Sequence, residues 1–537
     1  MSYELLHTYD GSDGYQPHSK LIIIDNELYG TTYAGGANNL GTIFKISSGG
    51  TYSVLHHFGS FGENDAFNPY GGLITNSDNT VLYGTTVSGG LNNSGTIYSI
   101  LPNGSSYTIL YNFDFRDQYG CNPHISLLLL SNKLYGTNFA TGNYNAGTIF
   151  AYDISGATIE LVYTFTGGAG GSGPKSALIN SGSLLYGTTM QGGEHSAGTI
   201  FSYNLGDSTF NVMYSFSEPV DGINEDGANP MAELFLYNNN LYGTTIAGGS
   251  NGTGTVFSIN KNTNTFTNMH SFESILSHYG AYSYGGLIMY GGLLYGITSQ
   301  GGGTIDGSVI YTISPDSPYT FDVAYALNGG VTSEGDGATC TLARNNNILY
   351  GTNSVGGVNN SGTIFKYTIS VICYNKDTKI LILDENGIEE YRLIQDIKEG
   401  DSVKIYPSGY KKVELIGNKT MINNSKMFKD CMYIMKKNKD NSLIDDLIVT
   451  GEHSIYVDCL TDNEKSKQCK SKIMHDKYSL ISRNSDNFTK ITDNNKYTYY
   501  HFVLENTNDS ENYIVWANGI LSESISKKIF NRSKFMQ

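Results

Sequence analysis

Cysteine, proline and tryptophan are scarce in this sequence of 537 residues, which contains six, ten and one of them. So few cysteines in so long a chain exclude a small disulfide-stapled scaffold. Glycine and tyrosine are abundant instead, at 64 and 42 residues. This composition is typical of many short β-strands joined by tight turns. The length exceeds what one hydrophobic core supports, so at least two domains are predicted.

Long apolar segments are also lacking. The longest apolar run, Ile125 to Leu130, suits a buried strand and falls far short of the roughly 20 residues of a membrane helix. The chain opens with Met1-Ser2-Tyr3-Glu4-Leu5-Leu6, without the basic and apolar regions of a signal peptide. The sequence therefore predicts no membrane span and synthesis in the cytoplasm.

Basic residues are rare before residue 370 and common after it. Residues 1–370 contain 8 Lys and Arg against 25 Asp and Glu, a net charge of −17. Residues 371–537 contain 25 Lys and Arg against 24 Asp and Glu, a net charge of +1. The two net charges add up to the −16 of the whole chain. The change predicts a domain boundary near residue 370. The acidic part lacks the basic face that phosphates need, which excludes nucleic acid as its partner.

A repeat of about fifty residues fills the acidic part. Its core is Leu-Tyr-Gly-Thr-Thr, then Gly-Gly, then Gly-Thr-Ile-Phe, and its tyrosines are Tyr29, Tyr83, Tyr135, Tyr186, Tyr242, Tyr295 and Tyr350. Such a period predicts propeller blades or a solenoid. The first repeat divides into four short strands: Lys20 to Ile24, Leu28 to Thr32, Gly41 to Ile46 and Tyr52 to Phe58. Four strands per unit are typical of a propeller blade.

The two ends of the repeat array favour a closed ring. The seventh repeat stops after its third strand, Gly362 to Tyr367, and the chain begins with Tyr3 to Tyr9, which matches the missing fourth strand. An open solenoid would need caps instead. We therefore predict an all-β protein in which residues 1–370 form a seven-bladed β-propeller closed by the N-terminal strand.

The repeat resembles the GloVer type. Leu28-Tyr29-Gly30-Thr31-Thr32 through Gly41-Thr42-Ile43-Phe44 carries the resemblance. That family has no common activity, so the resemblance implies a fold. Residues present in every blade are interpreted as structural, and a ligand site is expected among residues that differ between blades. Acidic, glycine-rich loops at residues 10–14, 221–227 and 334–337 could bind Ca²⁺ or be solvated turns. We predict no cofactor and no metal.

The C-terminal part carries four motifs in order. They are Cys373, then Gly400-Asp401-Ser402-Val403, then Thr450-Gly451-Glu452-His453 after an apolar strand, and a late strand that ends at Asn518-Gly519. This order resembles the Hint (hedgehog/intein) family. The resemblance implies that residues 371–537 form an all-β horseshoe with Cys373 beside Thr450 and His453.

The resemblance to the Hint family also implies a chemistry. The Cys373 sulfur would attack the carbonyl of Ile372, which converts the peptide bond into a thioester. His453 would protonate the leaving amide nitrogen, Thr450 would orient the scissile peptide, and His501 stands where relatives carry a group that assists the nucleophile. The sequence departs from inteins because residues 520–524 contain no His-Asn pair, and only 13 residues follow Ser524. Cleavage or transfer of the propeller is therefore expected rather than splicing.

Three whole-protein functions remain open. The first is autoprocessing at Ile372–Cys373. The second is a non-enzymatic structural or binding protein with a silent Hint domain, whose propeller binds a protein or glycan. Richness in Asn, Tyr, Ile and Lys is what an AT-rich genome produces, and by analogy with giant DNA viruses of amoebae such a protein could be a surface or virion component. The third is a propeller glycosidase, although the sequence singles out no carboxylate pair for it.

Overall fold

The computed structural model of the protein describes residues 2–62, 64–140, 144–218, 224–273, 275–277, 279–290, 292–303, 307–329, 334–369, 374–375, 378–383, 388–398, 401–404, 410–422, 432–435, 447–450, 454–457, 473–474, 477–481, 489–490, 496–504, 514–517 and 520–523. Strands dominate these residues, and the helices within them are three single-turn 3-10 helices, Gly168–Gly170, Ile275–Ser277 and Ile394–Asp396. None of the described helices has the length and apolarity that crossing a membrane requires. The predicted all-β class is confirmed.

The chain divides into two compact units. One comprises Tyr3–Met289 and Leu293–Lys366, and the other comprises Tyr367–Gln537 with Met1–Ser2 and Tyr290–Gly292. Along the first two thirds of the chain the strands are β1 (Ser2–Thr8), β2 (Ile22–Ile24), β3 (Glu27–Thr32), β4 (Thr42–Ile46), β5 (Tyr52–His57), β6 (Ala66–Phe67), β7 (Ile74–Thr75), β8 (Leu82–Thr86), β9 (Ser88–Gly89), β10 (Thr96–Ile100), β11 (Thr108–Asn112), β12 (Leu128–Leu130), β13 (Lys133–Asn138), β14 (Thr148–Asp153), β15 (Thr158–Thr164), β16 (Ile179–Ser181), β17 (Leu184–Thr189), β18 (Thr199–Asn204), β19 (Thr209–Ser215), β20 (Phe235–Tyr237), β21 (Asn240–Thr244), β22 (Thr255–Asn260), β23 (Phe266–Ser271), β24 (Ile288–Tyr290), β25 (Leu293–Thr298), β26 (Val309–Ile313), β27 (Phe321–Ala326), β28 (Ala343–Asn345), β29 (Ile348–Asn353) and β30 (Thr363–Thr368).

These strands form seven four-stranded sheets over the described residues, one for each sequence repeat. Six sheets take all four strands from one repeat, as in the order β2-β3-β4-β5 of the first. The seventh has the order β1-β30-β29-β28, so the N-terminal strand supplies the fourth strand of the last repeat. A small extra sheet pairs β6 with β9. The predicted seven blades and the closing N-terminal strand are confirmed.

Each blade packs on the next through an apolar layer. Ile43 and Phe58 of the first blade share a buried cluster with Leu82 and Tyr98 of the second, for example. The first and last blades join in the same way, because Tyr9 and Phe44 cluster with Ala343 and Ile364. This last contact closes the ring, which leaves no blade without a neighbour on either side.

The repeated sequence explains the blade interior. Within the central strand β3, every residue after Glu27 is buried, because its two faces lie against the two neighbouring blades. The last threonine of Leu-Tyr-Gly-Thr-Thr forms a hydrogen bond across the sheet with the threonine of Gly-Thr-Ile-Phe. In the first blade these are Thr32 and Thr42, whose Oγ1 atoms are 2.9 Å apart. The same bond joins Thr86 to Thr96, Thr189 to Thr199, and Thr245 to Thr255. These buried hydroxyls therefore satisfy one another.

The C-terminal part is also built of strands. They are β31 (Tyr374–Asn375), β32 (Lys379–Leu383), β33 (Glu389–Leu393), β34 (Ser402–Lys404), β35 (Tyr410–Ile422), β36 (Met432–Met435), β37 (Leu447–Thr450), β38 (Ser454–Val457), β39 (Ile473–Met474), β40 (Lys477–Ile481), β41 (Thr489–Lys490), β42 (Lys496–Leu504), β43 (Ile514–Ala517) and β44 (Ile520–Glu523). They join into one sheet with the order β39-β40-β38-β44-β43-β32-β34-β35-β42-β31-β37-β36-β41, and β33 pairs with β32. In this order β31 lies between β42 and β37.

Candidate functional site

The seven blades converge on one cavity, which we call the central cavity. Each repeat has a buried leucine just before its first strand: Leu21, Leu73, Leu127, Leu178, Leu234, Leu287 and Leu342. The residue three positions before this leucine lines the cavity in all seven blades: His18, Tyr70, His124, Lys175, Met231, Tyr284 and Thr339. The residue one position before it lines the cavity in six: Lys20, Gly72, Ser126, Ala177, Glu233 and Thr341. The cavity has a volume of about 90 Å³, which is room for several water molecules.

Imidazole and aromatic rings form one side of the central cavity. His18 stacks on Tyr70 with ring centroids 4.8 Å apart, and His124 makes a T-shaped contact with Tyr70 with ring centroids 5.5 Å apart. Nδ1 of His18 lies 2.9 Å from the hydroxyl of Thr339. Burial lowers the pKa of His18 to about 4. Burial, helped by the charge of Lys175, lowers the pKa of His124 to about 4. Both imidazoles are therefore neutral near pH 7.

Three charged side chains reach the central cavity. The ammonium of Lys20, from the first blade, lies 2.5 Å from a carboxylate oxygen of Glu233, from the fifth. Lys175 instead lies over the ring of Phe139, with Nζ 4.5 Å from the centroid. Burial lowers the pKa of Lys175. With both histidines neutral and both lysines charged, these groups sum to a single positive charge.

No sequence motif marks this site. A ligand site is expected among residues that differ between blades, and the lining residues do differ. Their common mark is the distance to the buried leucine, and in five repeats a proline directly precedes the first of them: Pro17, Pro69, Pro123, Pro174 and Pro230. Aligning the repeats on that leucine would have found the seven positions.

The acidic loops use their carboxylates to hold turns. Asp10 accepts hydrogen bonds from the backbone N–H of Ser12 and Asp13 and from the Ser12 hydroxyl. Asp226 accepts bonds from the hydroxyl of Tyr214 and from the N–H and hydroxyl of Ser217. Residues 221–223 of the second loop lie outside the described residues. In the described ranges no three His, Cys, Asp or Glu residues come together as a metal-binding group.

Two of the predicted processing residues, Thr450 and His501, lie in the strands that pair with Tyr374. Tyr374 of β31 is paired with Val449 of β37 on one side and with Tyr500 of β42 on the other, both antiparallel. Thr450 is the last residue of β37, and His501 follows Tyr500 within β42, where it is opposite Gly417. Ile372, Cys373 and His453 lie outside the described residues.

Comparison with known families now identifies the repeat. The Gloeobacter/Verrucomicrobia repeat matches residues 1–183 and 131–365. The chain belongs to this repeat family. The predicted GloVer-type repeat is thereby confirmed for the first 365 residues.

No curated protein matches the chain. Several solved structures do. The crystal structure of a nidogen/laminin complex is 16% identical, with 48% of this chain and 80% of that one covered and a TM-score of 0.32. The extracellular domain of a putative hybrid two-component system from B. thetaiotaomicron is 12% identical, with 76% and 46% covered and a TM-score of 0.45. Oligogalacturonate lyase from Vibrio parahaemolyticus is 11% identical, with 68% and 93% covered and a TM-score of 0.45. Likeness at this level concerns the fold and says nothing of activity.

Proposed function

We propose that this is a self-processing protein, in which a C-terminal Hint domain cleaves the chain between Ile372 and Cys373 and releases or transfers the propeller. The observation that carries the proposal is the pairing of Tyr374 with Val449 and with Tyr500. Cys373 directly precedes Tyr374 in the sequence, while Thr450 and His501 directly follow the two partners. Three segments that are far apart in the sequence thus meet at Tyr374, the residue after the proposed nucleophile.

The strand pairs of Tyr374 support the residue roles. Thr450 directly follows Val449, and His501 directly follows Tyr500, the two residues that pair with Tyr374. Cys373 is the residue before Tyr374. The proposed nucleophile and two of its predicted helpers are therefore each one residue along the chain from a member of these pairs.

The proposed reaction balances without a cofactor. The thiolate of Cys373 attacks the carbonyl carbon of Ile372, and the C–N bond to Cys373 breaks as the C–S bond forms. His453 delivers a proton to the departing nitrogen, which becomes the free α-amine of Cys373. Water, a thiol or another nucleophile then attacks the thioester, which restores the Cys373 thiol and leaves the propeller with a carboxylate or with the transferred group.

The fold supports a product that stays intact. The last blade takes its strands from β28, β29, β30 and the N-terminal β1. All of these strands end before residue 372. Cleavage after Ile372 would therefore remove no strand from the ring.

The alternative function is binding without processing. The central cavity favours it, because residues from all seven blades line one cavity. In that case the propeller would serve as a structural or binding module, with a virion surface as one proposed location, and the C-terminal domain would be silent.

Intact mass spectrometry of the purified protein separates these functions. We expect two fragments that meet at Ile372–Cys373, with hydroxylamine adding a hydroxamate to the end of the N-terminal one. Cys373→Ala should remain at full mass, and the matched variant Cys459→Ala should cleave like the wild type. A single full-length species from wild type, with and without thiol or hydroxylamine, would refute self-processing.

A further inference from the structure

We infer that the central cavity of the propeller binds a small organic carboxylate, with the ammonium of Lys175 as its counter-ion. This site is independent of the proposed cleavage, because all its residues lie in the blades. Four features of the cavity carry the inference. Among the described residues, the Lys175 ammonium has no acidic partner, and Glu233, which lines the cavity, is paired with Lys20. The hydroxyls of two lining residues can donate hydrogen bonds, and the rest of the wall is both polar and aromatic.

Among the basic residues of the propeller, Lys175 differs in having no hydrogen bond or ion pair with the described residues. Residues 1–370 contain eight Lys and Arg side chains. Seven of them have a hydrogen bond or an ion pair: Lys20, Lys45, Arg116, Lys133, Lys261, Arg344 and Lys366. In the part of the chain that the structure describes, Lys175 has neither, and its contact is the ring of Phe139. A half-buried ammonium without a partner is costly, and an anion in the cavity would offset that cost.

The net charge of the cavity matches the binding of one monoanion. Glu233 is the carboxylate that lines the cavity, and it is already paired with Lys20. The described part of the cavity therefore offers Lys175 no acid of its own, although residues 1–370 contain 25 Asp and Glu. Since His18 and His124 are neutral near pH 7, the cavity carries a net charge of about +1. A monoanion would neutralise it, whereas a dianion would overcompensate.

Two hydroxyls can complete the anion's hydrogen bonds. The Oγ of Ser126 accepts the backbone N–H of Gly72 at 2.9 Å, and the Oγ1 of Thr341 accepts the N–H of Gly286 at 2.8 Å. Each hydroxyl therefore keeps its own O–H for donation. Together with Lys175, the cavity presents donors from three blades. Carboxylate oxygens accept several such bonds and do not donate any when ionised.

The remaining walls fit the rest of a small acid. The phenol rings of Tyr70 and Tyr284 and the side chain of Met231 also line the cavity. They provide apolar surface beside the polar groups, which is the usual composition of a small-molecule site. A cavity of about 90 Å³ suits an acid the size of acetate, glycolate or lactate.

Titration calorimetry of the full-length protein tests the inference. Acetate, glycolate, lactate and pyruvate are titrated at fixed ionic strength, with chloride and inorganic phosphate as comparison anions. We expect saturable binding of at least one carboxylate at one site per chain. Lys175→Met should weaken it about 10- to 100-fold, which is the loss expected for a hydrogen bond to a charged group. Lys133→Met, which removes an ammonium that pairs with Glu160 and does not line the cavity, should leave it unchanged.

Three results would overturn the inference. They are absence of saturable binding by any of the acids, equal binding by Lys175→Met, and tighter binding of phosphate than of every carboxylate. Circular dichroism establishes that each variant is folded. Should Lys175→Met fail to fold, Ser126→Ala decides instead, with an expected loss of about tenfold for one hydrogen bond to an ionised group. Unchanged affinity in Ser126→Ala would then refute the site.

Discussion

The imidazole of His270 stacks face to face on the ring of Phe321, with centroids 3.8 Å apart and planes 5° from parallel. The two residues belong to the outer strands of neighbouring blades, β23 and β27. The same stack recurs between other blades, where its members are His7 and Tyr52, His56 and Tyr107, Tyr163 and Phe210, and Tyr214 and Phe266. The outer strands of the ring are thus joined by a repeated pair of stacked rings.

Replacing His270 by phenylalanine should stabilise the propeller. Nε2 of His270 is buried and has no hydrogen-bonding partner among the described residues, and such an atom costs about 1 kcal/mol or more. His270→Phe keeps the stack and removes that atom. We expect the free energy of unfolding near neutral pH to rise by about 1 kcal/mol. His195→Phe, at a more exposed position, serves as the control and should have no such effect.

The same variant should respond less to acid. Burial lowers the pKa of His270 from 6.5 to about 4, so between these values the unfolded state binds the proton and the folded state does not. Stability is therefore lost as the pH falls from about 7 towards 4. Denaturant titrations near pH 7 and near pH 5 should show a smaller loss for His270→Phe than for wild type. Equal losses in both proteins would contradict the role assigned to His270.

The glycine of each Leu-Tyr-Gly-Thr-Thr segment should resist replacement. Gly243 is opposite Phe257 in the sheet, and a Cβ added to Gly243 would lie 2.4 Å from Cζ of Phe257. The other repeats place Gly30, Gly84, Gly136, Gly187, Gly296 and Gly351 under an aromatic ring in the same way. We expect Gly243→Ala to lower the free energy of unfolding by about 1–3 kcal/mol, as overpacking does.

Two further variants test the cause of that loss. Gly49 lies in a turn where an added Cβ would have its nearest neighbour 3.8 Å away, so Gly49→Ala should change stability by less than about 0.5 kcal/mol. Phe257→Leu replaces the ring by a smaller side chain. Adding Gly243→Ala to Phe257→Leu should therefore lower stability less than adding it to the wild type. Additive losses in the double variant would show that the clash is not the reason for the glycine.

Much of the fold could be predicted from the sequence, because its information is local and repeated. The first repeat was predicted to have strands at Leu28 to Thr32 and Gly41 to Ile46, and they are Glu27–Thr32 and Thr42–Ile46. The closing strand was predicted at Tyr3 to Tyr9 and is Ser2–Thr8. The residues of the central cavity could not be predicted from the sequence in this way. Residues such as His18, Lys175 and Glu233 have no common chemistry and come together only when the ring closes, so they leave no motif.

The ring closure itself should depend on Tyr3. Its ring stacks on Tyr325 and Phe365 at 5.0 and 5.2 Å, and its hydroxyl donates to the carbonyl oxygen of Glu334 at 2.7 Å. We expect Tyr3→Ala to cost about 3–5 kcal/mol, as for other buried aromatic residues. The next residue, Glu4, forms an exposed ion pair with Lys366, so Glu4→Gln should cost about 1 kcal/mol or less. Similar unfolding midpoints for the two variants would mean that the N-terminal strand does not secure the last blade.

Catalysis of the proposed cleavage should depend on His453 and Thr450 to different degrees. In the proposed mechanism His453 donates a proton to the leaving amide, a role that contributes about 10²–10⁴ in rate. His453→Gln should therefore slow fragment formation at Ile372–Cys373 by a factor in that range, and His475→Gln should not. Thr450, which by the resemblance orients the scissile peptide, is expected to matter less than His453, with Thr420→Val as the matched control for Thr450→Val.

The time course of fragment formation, followed by intact mass with hydroxylamine, measures both rates. Hydroxylamine captures the thioester, so it reports the acyl shift rather than the later resolution step. If His453→Gln cleaved at the wild-type rate while Cys373→Ala did not cleave, the acyl shift would proceed with a different proton donor. His501, which directly follows Tyr500, a strand partner of Tyr374, would be the next residue to replace, since it is the other imidazole assigned to the proposed cleavage.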